Sequence, residues 1–526
     1  MDSDYEFAEE SDGDFVQGIV ITGNTTINGH NHFVDCKNIA VGFNVTLASL
    51  YVNDLTIKNG NINMIRVDTG KCVLNNVKFI YDDDTFHPDK AFISAIDNSE
   101  FYGLNETYTE LNVTKSSFNS TASLYGGIVT SAAMVYIKDS VFDGGQVYRG
   151  GYIYDTAISK LNVDNVTFSN LAGNYATAIF ANTYWLNVRN SRFTNIYANI
   201  TAGAIGIKYS NFRAENQSFV IENCTFENTG CANEGGAIFF DAAGIAGDGM
   251  ENNATLNITN SRFINCTGSF GGAIVQLGSF LNIVNSTFDD NLAFSCGGAV
   301  YTAVVNMSII NSTFTNNVAL YQGGAIFHNA YALDIDNSIF KGNGVAFNTS
   351  DSANAIYSYC SGLNIENSYF ENGGLGIYTV FYELTQNNNT YVGDTVLTGD
   401  DYEYFIGLYA EPIKVNNKIT VEELPSRFDL RDWGWVSPVD NQGDAGSCWA
   451  FGSIAAIESA IRRATGFNYT FSVNNLYKTE LMYSKYGACY LNEGGSSING
   501  VAYALSGLGV QWSGSDVYDQ LGKISD

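Results

Sequence analysis

The sequence predicts a mainly β protein: a long solenoid of stacked parallel strands, followed by a smaller domain built around a helix. Three observations predict it. Between residues 72 and 370 one pattern recurs eleven times: apolar, polar, apolar, polar, usually Asn, a small residue, one variable residue, then Phe. Its Phe positions are 79, 118, 142, 168, 193, 226, 263, 288, 314, 340 and 370, with most steps 24 to 26 residues, and self-similarity at a fixed period of this size marks a solenoid. Only Pro88 falls in the first 411 residues, which suits long ladders that need every backbone donor. Finally, Asp440 to Phe451 reads Asp-Asn-Gln-Gly-Asp-Ala-Gly-Ser-Cys-Trp-Ala-Phe, placing Cys448 at a helix start with Gln442 six residues ahead.

Within one repeat, about five residues alternate apolar and polar, as in Leu281, Ile283, Asn285, Ser286 and Phe288. That period of two is a strand with one face buried, and it is too short for a helix. Eight or nine residues beyond several of the Phe comes Gly-Gly-Ala and then Ile or Val, at 235 to 238, 271 to 274, 297 to 300 and 323 to 326. Paired glycines permit a turn that side chains would obstruct, and Ala-Ile opens the next strand. Each repeat is thus one coil of two or three strands, and stacked coils put Leu, Ile and Phe in columns. The Asn at the strand end is a residue that tolerates the left-handed region and can hydrogen-bond its neighbour in the stack.

The remaining composition narrows the function classes. At 526 residues, with 45% hydrophobic and 14% aromatic content, the chain has material for more than one cored domain and is not a disordered polymer. The net charge is −29, and residues 421 to 526 hold 7 basic and 12 acidic side chains, leaving −24 on the first 420. Such a balance, with no basic block, argues against nucleic acid and anionic membranes as partners. Residues 1–18 are an acidic segment without the order of a secretory signal, and no run of 18 apolar residues occurs. Nine cysteines lie without a Cys-x-x-Cys pair, so no zinc site is expected; no cofactor is expected and no residue is assigned as a metal ligand. Cys36, Cys72, Cys224, Cys231, Cys266, Cys296 and Cys360 are read as single buried thiols.

Phe314-Thr-Asn-Asn317 followed by Gly-Gly-Ala-Ile at 323 to 326 resembles the repeats of polymorphic outer-membrane and adhesin-like surface proteins. That resemblance, over roughly residues 19 to 390, implies a right-handed parallel β-helix and a place at the cell surface or outside the cell, with surface glycans or proteins as partners. A β-helix also serves polysaccharide lyases and glycosidases, for which Asp289 with Asp290, Asp82 to Asp84, and Asp400 with Asp401 are the carboxylate candidates. None recurs at one repeat position with a basic partner, so these read as solvated turn acids. A weak calcium site at Asp82 to Asp84 is left open. Sequons such as those at Asn285, Asn311 and Asn468 arise partly because the repeat itself spells Asn-Ser-Thr.

Three of the four prolines, Pro412, Pro425 and Pro438, follow the repeat, giving a solenoid over 19–390, last coils and a linker over 391–423, and a second domain over 424–526. There Leu424-Pro-Ser-Arg-Phe-Asp-Leu-Arg-Asp-Trp433, Gln442 and Gly446-Ser-Cys-Trp-Ala-Phe451 keep their order and spacing. The run resembles the N-terminal part of a papain-like cysteine peptidase. Phe471-Ser-Val-Asn-Asn-Leu476 and Glu493-Gly-Gly495 are similar to later family segments. The resemblance implies the helical first half of an α+β domain whose substrate is a polypeptide. Cys448 is then the nucleophile, made reactive by the positive end of its helix. Gln442 and the Cys448 backbone N–H stabilise the oxyanion.

The same resemblance leaves the site incomplete. The family's His, with an Asn or Asp, lies about 130 to 150 residues beyond the cysteine, whereas 78 residues follow Cys448, and His30, His32, His87 and His328 all precede it. The expectation is a domain cut in mid-fold, with an adhesin-like protein carrying an endopeptidase as the first reading and an inert solenoid with a peptidase remnant as the alternative. Ala445 stands where the family often has a disulfide-bonded cysteine, so Cys489 is expected to lack that bridge.

Overall fold

The computed structural model describes residues 1–82, 86–87, 89–104, 109–121, 123–148, 150–157, 159–208, 218–241, 254–347, 352–380, 383–399, 429–443, 447–477 and 512–513. The chain forms two units, Met1–Asp400 and Asp401–Asp526.

The first unit is a parallel β-helix. Every pairing among its described strands is parallel, and each strand pairs with its equivalents one coil back and one coil on. A representative coil runs Val300–Ile310, Thr313–Thr315 and Val318–Ala319, in register with Ile326–Asp336, Ile339–Lys341 and Gly344–Val345 of the next. Inward residues of the alternating pattern, such as Leu281, Ile283 and Phe288, are fully buried. The acidic first residues join this unit: Tyr5–Glu6 pairs with Phe33–Asp35, and Phe7 packs into the core.

The repeating Phe becomes one uninterrupted stack. All eleven rings from Phe79 to Phe370 lie 4.4 to 5.0 Å from the next and within 9° of parallel. Tyr391 extends it at 5.1 Å. The spacing is set by the strand separation of about 4.8 Å, which happens to suit ring stacking.

Polar columns run beside the aromatic one. The Asn ending each Leu-x-Ile strand is left-handed throughout, with φ of 49 to 55° at Asn76, Asn165, Asn190, Asn223, Asn260, Asn285, Asn311, Asn337 and Asn367; Lys115 and Asp139 take the position in two coils. Its amide donates to the coil before, from Asn223 to Asn190 at 2.7 Å and from Asn337 to Asn311 at 3.1 Å. The Ser one residue on accepts a backbone N–H from the preceding coil, a ladder running Ser261, Ser286, Ser312, Ser338, Ser368. An interior ladder joins the buried Asn291, Asn317 and Asn343 and ends on the half-buried Asn372. These columns satisfy the turns that a stacked coil buries.

The Gly-Gly-Ala turns have a steric cause. A Cβ on Gly298 would sit 1.9 Å from the Gly324 carbonyl oxygen and 2.7 Å from the Val318 backbone, so neighbouring coils approach there as only glycine allows. The following Ala299 and Val300 are fully buried, and Val300 opens the next strand.

Cys36, Cys72, Cys224, Cys231 and Cys266 are buried free thiols, as expected, and Cys296 is partly exposed. Burial pushes Cys36, Cys72, Cys224, Cys231 and Cys266 up to about 12 and Cys296 up to about 11, because a thiolate loses its hydration there. The side chain of Cys360 and residue Cys489 lie outside the described residues.

Candidate active site

The second unit is organised by the helix Cys448–Thr465. Gly466 ends it in the left-handed conformation at φ 76°, its N–H donating to the Arg462 carbonyl at 2.8 Å, a C-terminal stop that favours glycine. Trp449, Ala450, Ile454 and Glu458 form the buried face. Trp449, Ala450 and Ile454 pack against Phe471, Val473, Leu476 and Tyr477. Glu458 sits among these apolar groups because its carboxylate accepts the Phe471 N–H at 2.7 Å. That bond ties the helix to the chain beyond it. The place of Glu458 four residues after Ile454 puts it on the buried face of the helix but does not name its donor.

The segment leading into the helix is fastened along it. Ser437 donates its N–H to Ser459 Oγ at 3.2 Å, Arg462 donates to the Val436 carbonyl at 2.8 Å, and the Arg463 guanidinium lies 5.1 Å from the Trp435 ring centroid. From there the chain runs to Asn441, whose side chain accepts the Gly443 N–H at 2.8 Å. Gln442 stands at this turn, half-buried. Cys448 is the first helical residue and is exposed, while Trp449 beside it points into the core. The first turn contains no acidic side chain, and Ser447 makes no side-chain cap, so the positive end of the helix acts on Cys448 without a neighbouring carboxylate in that turn. Residues 444–446, which join Gln442 to Cys448, lie outside the described residues, as do Glu493 to Gly495.

A groove of about 250 Å³ on this unit is lined by Val436, Pro438, Phe451, Gly452, Ala455 and Glu458 among others. It lies between the 436–440 segment and the helix, and Cys448 is not among its lining residues.

Residues 424–523 match the papain family cysteine protease model. The C-terminal region holds a papain-family peptidase domain. Cathepsin K of Mus musculus is 35% identical over 109 residues, covering 19% of this chain and 31% of that protein. The oryzain beta chain of Oryza sativa subsp. japonica is 48% identical over 56 residues, 11% of this chain and 12% of its own. Pro-cathepsin H of Medicago truncatula is 40% identical over 75 residues, covering 14% and 21%. The chain spans less than a third of each of these relatives.

Among the described residues, the solenoid's own candidates do not assemble a second site. Asp289 is a cross-coil acceptor for Thr315 Oγ1 at 2.6 Å and the Asn316 amide at 3.2 Å, and Asp290 turns at φ 56°. The Asp82 N–H donates to Asn59 at 3.3 Å; Asp83, Asp84, Asp400 and Asp401 lie outside the described residues. A recess of about 330 Å³ is lined by Asn195, Tyr197, Asn228, Gly230, Asn265 and Thr267, with no carboxylate in its wall. Among the described residues no group of three or more His, Cys, Asp or Glu could hold a metal ion, and no helix is long and apolar enough to cross a membrane.

Proposed function

We propose that the protein is a surface or extracellular solenoid that presents a papain-like cysteine endopeptidase. Cys448 is the nucleophile, and the Gln442 amide with the Cys448 N–H receives the developing oxyanion. The observation that carries this is an exposed cysteine opening a long helix, inside a stretch that matches the papain family. Hydrolysis needs a general base as well, and no histidine follows Cys448 in the sequence; the reading therefore concerns a polypeptide that supplies one, with polypeptides as substrate. A thiol-reactive peptidyl epoxide should label Cys448 in the longest natural form of the protein, and Cys448→Ala should abolish both labelling and peptide hydrolysis. Folded protein that takes up no label and cleaves no peptide removes the proposal.

A second reading rests on the solenoid, which forms the whole of the larger unit: an adhesion or structural protein with an inert peptidase remnant. In it the coils meet surface glycans or proteins. The two readings part on the coding sequence beyond Asp526: a His and then an Asn or Asp at family spacing supports the enzyme. Antibody labelling of intact cells tests the location that both readings share.

A further inference from the structure

Three successive coils carry Gln276, Thr302 and His328 at the same inward position of one strand, paired in register. Two coils earlier this position holds Ile207, and one coil earlier Phe240. Here the core turns polar, and all three side chains are fully buried. Thr302 Oγ1 lies 2.7 Å from His328 Nδ1. The Gln276 amide nitrogen donates to the carbonyls of Gly278 and Phe280 at 3.3 and 2.8 Å, while its Oε1 has no hydrogen-bond partner among the described residues. A buried carboxamide oxygen without a donor is a cost that calls for an explanation.

We propose that these residues form an internal cross-link: the Thr302 hydroxyl attacks the Gln276 carboxamide to give an ester between adjacent coils. His328 accepts the hydroxyl proton at Nδ1 as the bond from Oγ1 to the Gln276 Cδ forms. The tetrahedral adduct then collapses, the Cδ–Nε2 bond breaks, and the proton passes from His328 to the departing nitrogen. One hydroxyl and one primary amide become one ester and one ammonia, so the step needs no oxidant and no co-reactant. Gln276 and Thr302 are register partners on adjacent strands, which lie about 4.8 Å apart, so no side chain of the ladder stands between them. The fold supplies the proximity that makes such a reaction effectively unimolecular. The two carbonyls that hold the amide nitrogen fix the plane of the group under attack. Exclusion of water protects the product from hydrolysis, and loss of ammonia to solvent makes the step irreversible. The bond would fasten one coil to the next against peeling.

The test is the mass of the intact full chain after denaturation. The cross-linked protein weighs less than its sequence by about 17 Da, the mass of ammonia, and digestion gives one linked fragment containing Gln276 and Thr302 that hydroxylamine separates. A succinimide at an Asn-Gly pair such as Asn59-Gly60 loses the same mass but links nothing. Thr302→Val should restore the full mass, and His328→Gln should leave the link unformed or slow it at least tenfold. Wild-type protein at full sequence mass, or a mass loss with no linked fragment, overturns the proposal without reference to how any variant folds. A link that forms in His328→Gln at the wild-type rate overturns the role of the histidine.

Discussion

Truncating Phe288 to Ala should open a hole in the aromatic column whose effect is felt one coil to either side. The ring is fully buried and stacks on Phe263 at 4.7 Å and on Phe314 at 4.6 Å. Removing a buried Phe costs about 3–5 kcal/mol, and each lost stack adds about 0.5–1.5 kcal/mol beyond area. The walls of the hole are backbone ladders held at a fixed rise, so they collapse little, and the cost belongs toward the upper end, about 5 kcal/mol. In a solenoid this energy is local, because each coil contacts only its neighbours. Hydrogen exchange of the full chain resolves it strand by strand. Amides of Arg262–Ile264, Thr287–Asp289 and Thr313–Thr315 should exchange faster by about 10³-fold, since about 1.4 kcal/mol is a factor of ten. Those near Phe118 should keep their wild-type rates. A change below tenfold in the three strands, or an equal change along the whole stack, would refute the nearest-neighbour argument.

Three further outcomes follow from the same geometry. Asn317→Ala removes acceptors and donors for Asn291, Asn343 and the Phe288 carbonyl inside the wall and should cost at least about 2 kcal/mol, whereas Asn311→Gly on the exposed column, which keeps the left-handed turn, should cost about 1 kcal/mol or less; chemical denaturation followed by exchange separates them. Asp155 is buried, and lost hydration pushes its carboxyl up to about 7. Its folded pKa is therefore above the unfolded value, so the folded state holds the extra proton and stability is lost as pH rises from about 4 to 7, with a slope of at most about 1.4 kcal/mol per pH unit. Asp155→Asn should flatten that part of the stability profile measured by urea titration. Under native conditions a maleimide should modify Cys448 far faster than Cys72, Cys224, Cys231 or Cys266, whose burial opposes the thiolate; peptide mapping that finds those four labelled at a comparable rate would contradict the core described above.

The sequence made the repeating parts of the solenoid legible because each one is a local rule applied many times. Phe at a fixed step, Asn where the chain turns left-handed, and Gly where coils touch all announce themselves by recurrence. What recurs once could not be read in that way. Asp155, Gln276, Thr302 and His328 share an inward position that in the coils between Asp155 and Gln276 holds Ala181, Ile207 and Phe240, and nothing local distinguishes a polar residue pointing inward from one pointing out. The pairing of Tyr5–Glu6 with Phe33–Asp35 escaped for the same reason, since two residues carry no period. In the second unit Cys448 was legible from motif and helix signals together. Glu458 was not, because its role depends on the Phe471 N–H thirteen residues away.

The steps Asn291, Asn317 and Asn343 are each 26 residues, and the Ser, Asn and Phe columns all advance by the same increment there. Every coil in this stretch therefore offers its neighbour the same upper and lower surface. Deleting or duplicating one 26-residue block in frame would leave each ladder with a matching partner. The length of the solenoid is then a quantity that recombination between repeats can change in whole coils, without redesigning any contact.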